Sequence, residues 1–92
     1  MLEDKLRAPE EMFAVCVWDP SNPEKSIPRI AKTTVRRGRK ETLYKSERYA
    51  IWYAKMRNDR WYRYLRRVKA EGKSVIGENE YFVIDDKGVR IF

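Results

Sequence analysis

The chain predicts an α+β fold in the order strand, hairpin, long helix, hairpin. It reads as a small antiparallel or mixed sheet of about four or five strands, with one long helix or two tandem helices across one face. Three observations lead there. Met12 to Trp18 (MFAVCVW) is a short apolar run of β-formers stopped by Asp19-Pro20. Residues 46–72 carry apolar side chains at helical spacing with no internal Gly or Pro. YFVI and VRIF flank Asp85-Asp86-Lys87-Gly88 near the end of the chain, the strongest hairpin signal in the sequence.

Taken in order, residues 1–10 are acidic and polar, and Pro9 argues against a helix continuing into the next element. This end frays, or docks through Leu2 and Leu6. Met12–Trp18 is then a buried central strand. Cys16 within it has no cysteine to pair with and no histidine to activate it, so it reads as a small core residue rather than a nucleophile. Asp19–Pro28 holds three of the four prolines and is a loop. Arg29–Val35 reads as a second strand and Thr42–Lys45 as a third. Between them Arg36-Arg37-Gly38-Arg39-Lys40 forms a basic hairpin tip, with Gly38 supplying a positive φ.

The helix follows. Ser46 is a good N-cap, Glu47 suits the positive end of the dipole, and Gly72 suits the C′ position. On a wheel of about 100° per residue, Ala50, Ala54, Trp61, Leu65 and Val68 share one face, flanked by Tyr53 and Tyr64. Arg57 is the one charge inside that core stripe. Tyr49, Trp52, Met56, Arg60, Arg63 and Arg67 share a second face. Asn58-Asp59 are poor helix formers, so a break there, with Asp59 capping a second helix, is the alternative. Residues 73–80 read as a loop or short strand. Asp85 and Asp86 are turn residues bonding to their own backbone.

With 92 residues the chain predicts one domain, 1–92, with a modest core. The net charge of +7 is unevenly spread. Residues 29–73 hold sixteen basic and four acidic groups, a balance of +12, while 1–28 and 74–92 balance at −3 and −2. Such concentration predicts a basic ridge rather than a uniformly positive surface. No apolar run approaches the roughly 20 residues of a membrane span, and no signal-peptide core is visible, so the expectation is a soluble cytoplasmic protein without a membrane partner. The absence of His and Gln beside abundant Lys, Arg and Glu resembles thermophile usage.

No histidine, one cysteine, no glycine-rich phosphate loop and no dinucleotide fingerprint are present. The sequence therefore predicts neither an enzyme nor a cofactor or metal, a nuclease-like activity being the lesser alternative. What remains is binding. Arg36, Arg37, Arg39, Lys40, Arg60, Arg63, Arg66 and Arg67 are the candidate phosphate contacts, and Tyr49, Trp52 and Tyr62 the candidate stacking platforms. The leading expectation is a nucleic-acid-binding protein, for DNA or RNA, without strong sequence readout. The second is a small viral or plasmid-type adaptor whose basic aromatic helix binds an acidic protein. A homodimer is compatible with both.

Overall fold

A computed structural model describes residues 6–18, 27–73 and 80–92. Leu2, most of the proline-rich loop and most of the segment after Gly72 lie outside the described residues. The fold is α+β, with β1 (Phe13–Trp18) at the centre. On one side β1 pairs antiparallel with β6 (Glu80–Ile84), Val15 opposite Val83. On the other it meets two short antiparallel pieces end to end. These are β2 (Arg29–Ile30), with Cys16 opposite Ile30, and β5 (Leu43–Tyr44), with Phe13 opposite Tyr44.

Between those pieces the chain leaves the sheet. β3 (Lys32–Val35) and β4 (Gly38–Glu41) pair only with each other, as a separate two-stranded hairpin. The expected single strand 29–35 is therefore divided at Ala31, and within the expected third strand 42–45 Leu43 and Tyr44 pair with β1 rather than with 29–35. The hydrogen bonds explain the division. Val15 serves both Ala31 and Thr42: its carbonyl accepts from Ala31 N (2.8 Å) and its N–H donates to Thr42 O (3.0 Å). Thr42 N in turn donates to Ala31 O (3.0 Å). The Thr42 hydroxyl lies 3.0 Å from the carbonyls of both Val15 and Ala31 and donates to one at a time. Thr42 is fully buried (0% exposed), so the hairpin grows from a closed, hydrogen-bonded root. Its turn is Arg36-Arg37 alone. Gly38, at φ 129°, already opens β4, so Arg39 and Lys40 belong to the strand rather than the tip.

The helix α1 (Glu47–Ala70) is continuous. Ser46 Oγ accepts from Tyr49 N (3.1 Å). At the far end Gly72 N donates to Lys69 O and Lys73 N to Val68 O, both 3.0 Å, with Gly72 at φ 75°. That paired closure satisfies carbonyls the last turn leaves open. No break occurs at Asn58-Asp59, because Asn58 has a tertiary role that outweighs its weak propensity. Its amide Nδ2 donates to Tyr81 O (3.1 Å) and its Oδ1 accepts from Tyr81 N (2.8 Å).

The helix buries Ala50, Tyr53 and Ala54 against Val15, Val17, Tyr81 and Val83 on one face of the sheet. On the opposite face Ala14, Cys16, Phe82 and Ile84 pack with Leu6, Ala8 and Met12 of the N-terminal segment. Of the two alternatives for this end, fraying or docking, Leu6 takes the second. The C-terminal residues run beside β6, with Ile91 N donating to Val83 O and Val83 N to Phe92 O. The turn before them is held by Asp85, whose Oδ1 accepts from Lys87 N and Val89 N, both 2.9 Å.

Candidate functional site

The hairpin leaves the sheet beside the helix, and an open cleft of about 540 Å³ lies between them. Lys32, Thr33, Thr34 and Arg39 form the hairpin wall; Arg57, Arg60, Trp61 and Tyr81 form the other. The cleft continues past the root of the hairpin as a second hollow of about 390 Å³. That hollow shares Lys32, Arg39, Arg57 and Tyr81 and adds Arg29. Five cations line the continuous space, and among the described residues no carboxylate does. The only ion pairs among the described residues, Lys73–Glu71 and Arg90–Glu80, are elsewhere.

Arg57 occupies the centre. Its Nη1 donates to the Tyr53 hydroxyl (3.0 Å) and its Nη2 to the Tyr81 hydroxyl (2.8 Å). The guanidinium also lies 4.7 Å from the Tyr81 ring centroid, an attractive placement over the π face. Partial burial works against its charge, but the hydrogen bonds to Tyr53 and Tyr81 outweigh that and hold its pKa above the ordinary arginine value. Trp61 is half-buried rather than part of the core, and stacks on Tyr64 at 5.4 Å between centroids. Its indole Nε1 is buried without an acceptor among the described residues.

Arg60 connects this cleft to a neighbouring hollow of about 530 Å³ lined by Trp52, Lys55, Met56, Asp59, Arg60 and Arg63. Trp52 is 56% exposed. It rests against Tyr49 (5.5 Å between centroids), which meets Tyr44 edge-on at 4.7 Å. An aromatic platform is thus fixed from beneath and open above.

Of the expected phosphate contacts, Arg39 and Arg60 line the cleft and Arg63 the adjoining hollow. Arg36 and Arg37 are exposed at the hairpin turn, and Lys40 is exposed on β4. Arg67 lies over the Tyr64 ring (5.9 Å), two turns beyond Arg60 on nearly the same side of the helix. Tyr62, 61% exposed, sits about 160° round the helix from Arg60, and Arg66 about 120° round, so neither shares the cleft. Arg29, Lys32, Arg57, Trp61 and Tyr81 were not among the candidates. For Arg57 a signal existed: a cation in the buried stripe with no acidic residue three or four positions away, and with Tyr53 and Trp61 at those spacings.

Chemically the lining is rich in N–H donors and cationic among the described residues. Among the described residues no three His, Cys, Asp or Glu side chains come together as metal ligands, and no helix is long and apolar enough to cross a membrane. Comparison with protein-family models, curated proteins and solved structures finds no match.

Proposed function

We propose that the protein binds nucleic acid, DNA or RNA, mainly through backbone phosphates, with stacking on Trp52 and Tyr49. The observation that carries this reading is the cleft itself: Arg29, Lys32, Arg39, Arg57 and Arg60 converge there with no lining carboxylate among the described residues, and Arg63 and an exposed tryptophan adjoin. Phosphates satisfy such donors, and bases stack on such a ring. Arg36, Arg37, Lys40, Arg66 and Arg67 extend the positive field and speed encounter.

Five phosphate contacts imply a log–log salt slope of about −3.5 for a single strand. Affinity then falls about a hundredfold between 50 and 200 mM salt. Anisotropy titration of labelled oligonucleotides at several salt concentrations measures this. Trp52→Ala is expected to lower single-strand affinity by about 1–3 kcal/mol at unchanged salt slope. Undetectable or salt-independent binding refutes the reading.

A second reading draws on the exposed Tyr62 beside Arg66, away from the cleft. Aromatic and arginine side chains together are the composition of protein-interface anchors, and the partner would be an acidic protein. Retention of a protein partner after nuclease treatment, lost in Tyr62→Ala, favours it.

A further inference from the structure

Arg57 differs in kind from the other cations of the cleft. Arg29, Lys32, Arg39 and Arg60 are exposed, as are Arg36, Arg37 and Lys40 beyond the cleft, whereas Arg57 is half-buried and clamped by two tyrosine hydroxyls at 2.8 and 3.0 Å. An arginine carries five N–H donors in a rigid planar fork. Two are occupied by Tyr53 and Tyr81, and among the described residues the other three make no bond. Both tyrosine oxygens accept from Arg57, which leaves their own O–H groups available as donors. Around this fork the cleft adds Lys32, Arg39 and Arg60. Trp61, on the same wall, has a buried indole N–H that is unsatisfied among the described residues. The charged groups here are all donors, and among the described residues no ionised acceptor lines the cleft. Of the donors here, the Trp61 N–H is buried and Arg57 is half-buried, and donors so placed gain most from an acceptor-rich anion.

We infer that Arg57 anchors a fixed phosphate position on the floor of the cleft, where one tetrahedral phosphate group accepts from the fork that Tyr53 and Tyr81 hold in place. This deepens the nucleic-acid reading, on which it rests for the source of the phosphate: one backbone phosphate of the bound strand is held in register while the exposed cations contribute diffuse attraction. Free orthophosphate offers the same acceptors and is the other source. The tyrosines are positioning residues. They fix the plane of the guanidinium by taking one N–H from each terminal nitrogen, and the three N–H groups left are the ones a phosphate would meet in a set orientation.

The test separates fork from charge. Arg57→Lys keeps the positive charge and removes the fork; Arg36→Lys is the same exchange at the exposed turn. For a labelled oligonucleotide, Arg57→Lys is expected to weaken binding about tenfold, the loss of one charge-assisted bond. Arg36→Lys should stay within about twofold, and the salt slope should be equal in both because the number of charges is unchanged. A second readout uses orthophosphate alone: at constant ionic strength it should raise the melting temperature of the wild-type protein and not that of Arg57→Lys. The quantity compared is the phosphate-dependent increment, which survives a lower baseline. Should Arg57→Lys fail to fold, Tyr81→Phe keeps the ring and removes one clamp, with about a threefold weakening expected for the oligonucleotide. Equal effects of Arg57→Lys and Arg36→Lys on an oligonucleotide that does bind overturn the anchor while leaving the nucleic-acid reading standing. An Arg57-dependent response to orthophosphate with no oligonucleotide binding does the reverse, and identifies free phosphate as the source.

Discussion

Replacing Asn58 with alanine puts two physical arguments into opposition, and they differ in sign. Alanine is the best helix former and asparagine a poor one, so propensity alone predicts that Asn58→Ala stabilises the chain by about 0.6 kcal/mol. The structure predicts the opposite. Along the outer edge of β6, Val83 has its N–H and C=O taken by the C-terminal residues, as Ile91 N donates to Val83 O and Phe92 O accepts from Val83 N. The next residue of the same parity, Tyr81, has its N–H and C=O taken by the two ends of the Asn58 amide (2.8 and 3.1 Å). A side chain thus extends the ladder where the terminal segment does not reach, and ties the middle of α1 to the start of β6. Each bond contributes about 0.5–1.5 kcal/mol net, so the pair contributes about 1–3. Subtracting the propensity gain leaves a loss of about 0.5–2.5 kcal/mol, centred near 1.5.

For a chain of this size that lowers the melting temperature by about 6–12 °C. With a urea dependence of about 1 kcal/mol per molar, the denaturation midpoint falls by about 1.5 M. Asp59→Ala is the matched control, because Asp59 is exposed, makes no bond to the sheet among the described residues and has similar propensity. It should be neutral or slightly stabilising. Thermal and urea melts followed by circular dichroism make the comparison. An Asn58→Ala protein as stable as Asp59→Ala or more so refutes the assignment of the helix–strand tie to this amide.

Two further outcomes follow from titratable groups. Cys16 is fully buried and burial pushes its thiol up to about 12, so only about one molecule in 10⁴ carries a thiolate at pH 8. A thiol reagent should leave the native protein unlabelled and react fully in denaturant; rapid native labelling refutes the packing of β1. The Asp85 carboxylate accepts from the N–H groups of Val89 and Lys87, and these hold its pKa below the ordinary carboxylate value. Because the folded value lies below the unfolded one, the stabilisation is complete above about pH 4 and lost as pH falls through the folded value. Amide shifts of Lys87 and Val89 should move together in that acidic window and be pH-independent in Asp85→Asn.

Where the chain's organisation depends on neighbours in sequence, it was legible. Ser46, the 3.6-residue stripe and Gly72 mark the helix because caps and periodicity are local, and Asp85 with Gly88 marks the last turn for the same reason. The division of residues 29–35 was not legible. IAKTTV has continuous β character, and what interrupts it at Ala31 is the double service of Val15, sixteen positions away. The candidate site divides along the same line. Charge density pointed to Arg39, Arg60 and Arg63, but periodicity tells only which helix face turns inward and not what that face meets. Arg57 therefore read as an anomaly of the core, when it sits where the core opens into the cleft.

The root of the hairpin and the charge of the cleft belong to one argument. Arg57 and Arg60 stand three apart on one helix face, a like-charge spacing that costs about 0.2–0.5 kcal/mol. The hairpin adds Lys32 and Arg39 to the same space from a root buried at Thr42, so these cations are not free to move apart as they would on a loose loop. Core packing does not require this, since the groups that fill the core are Val15, Tyr53, Ala54 and Val83. A 92-residue chain has little stability to spare for self-repulsion. On the proposed reading a phosphate strand removes the repulsion as it binds, and its counterions are released at the same step. Occupancy of the cleft then stabilises the fold in proportion to ligand concentration, and the least favourable electrostatics of the free protein become the source of its affinity.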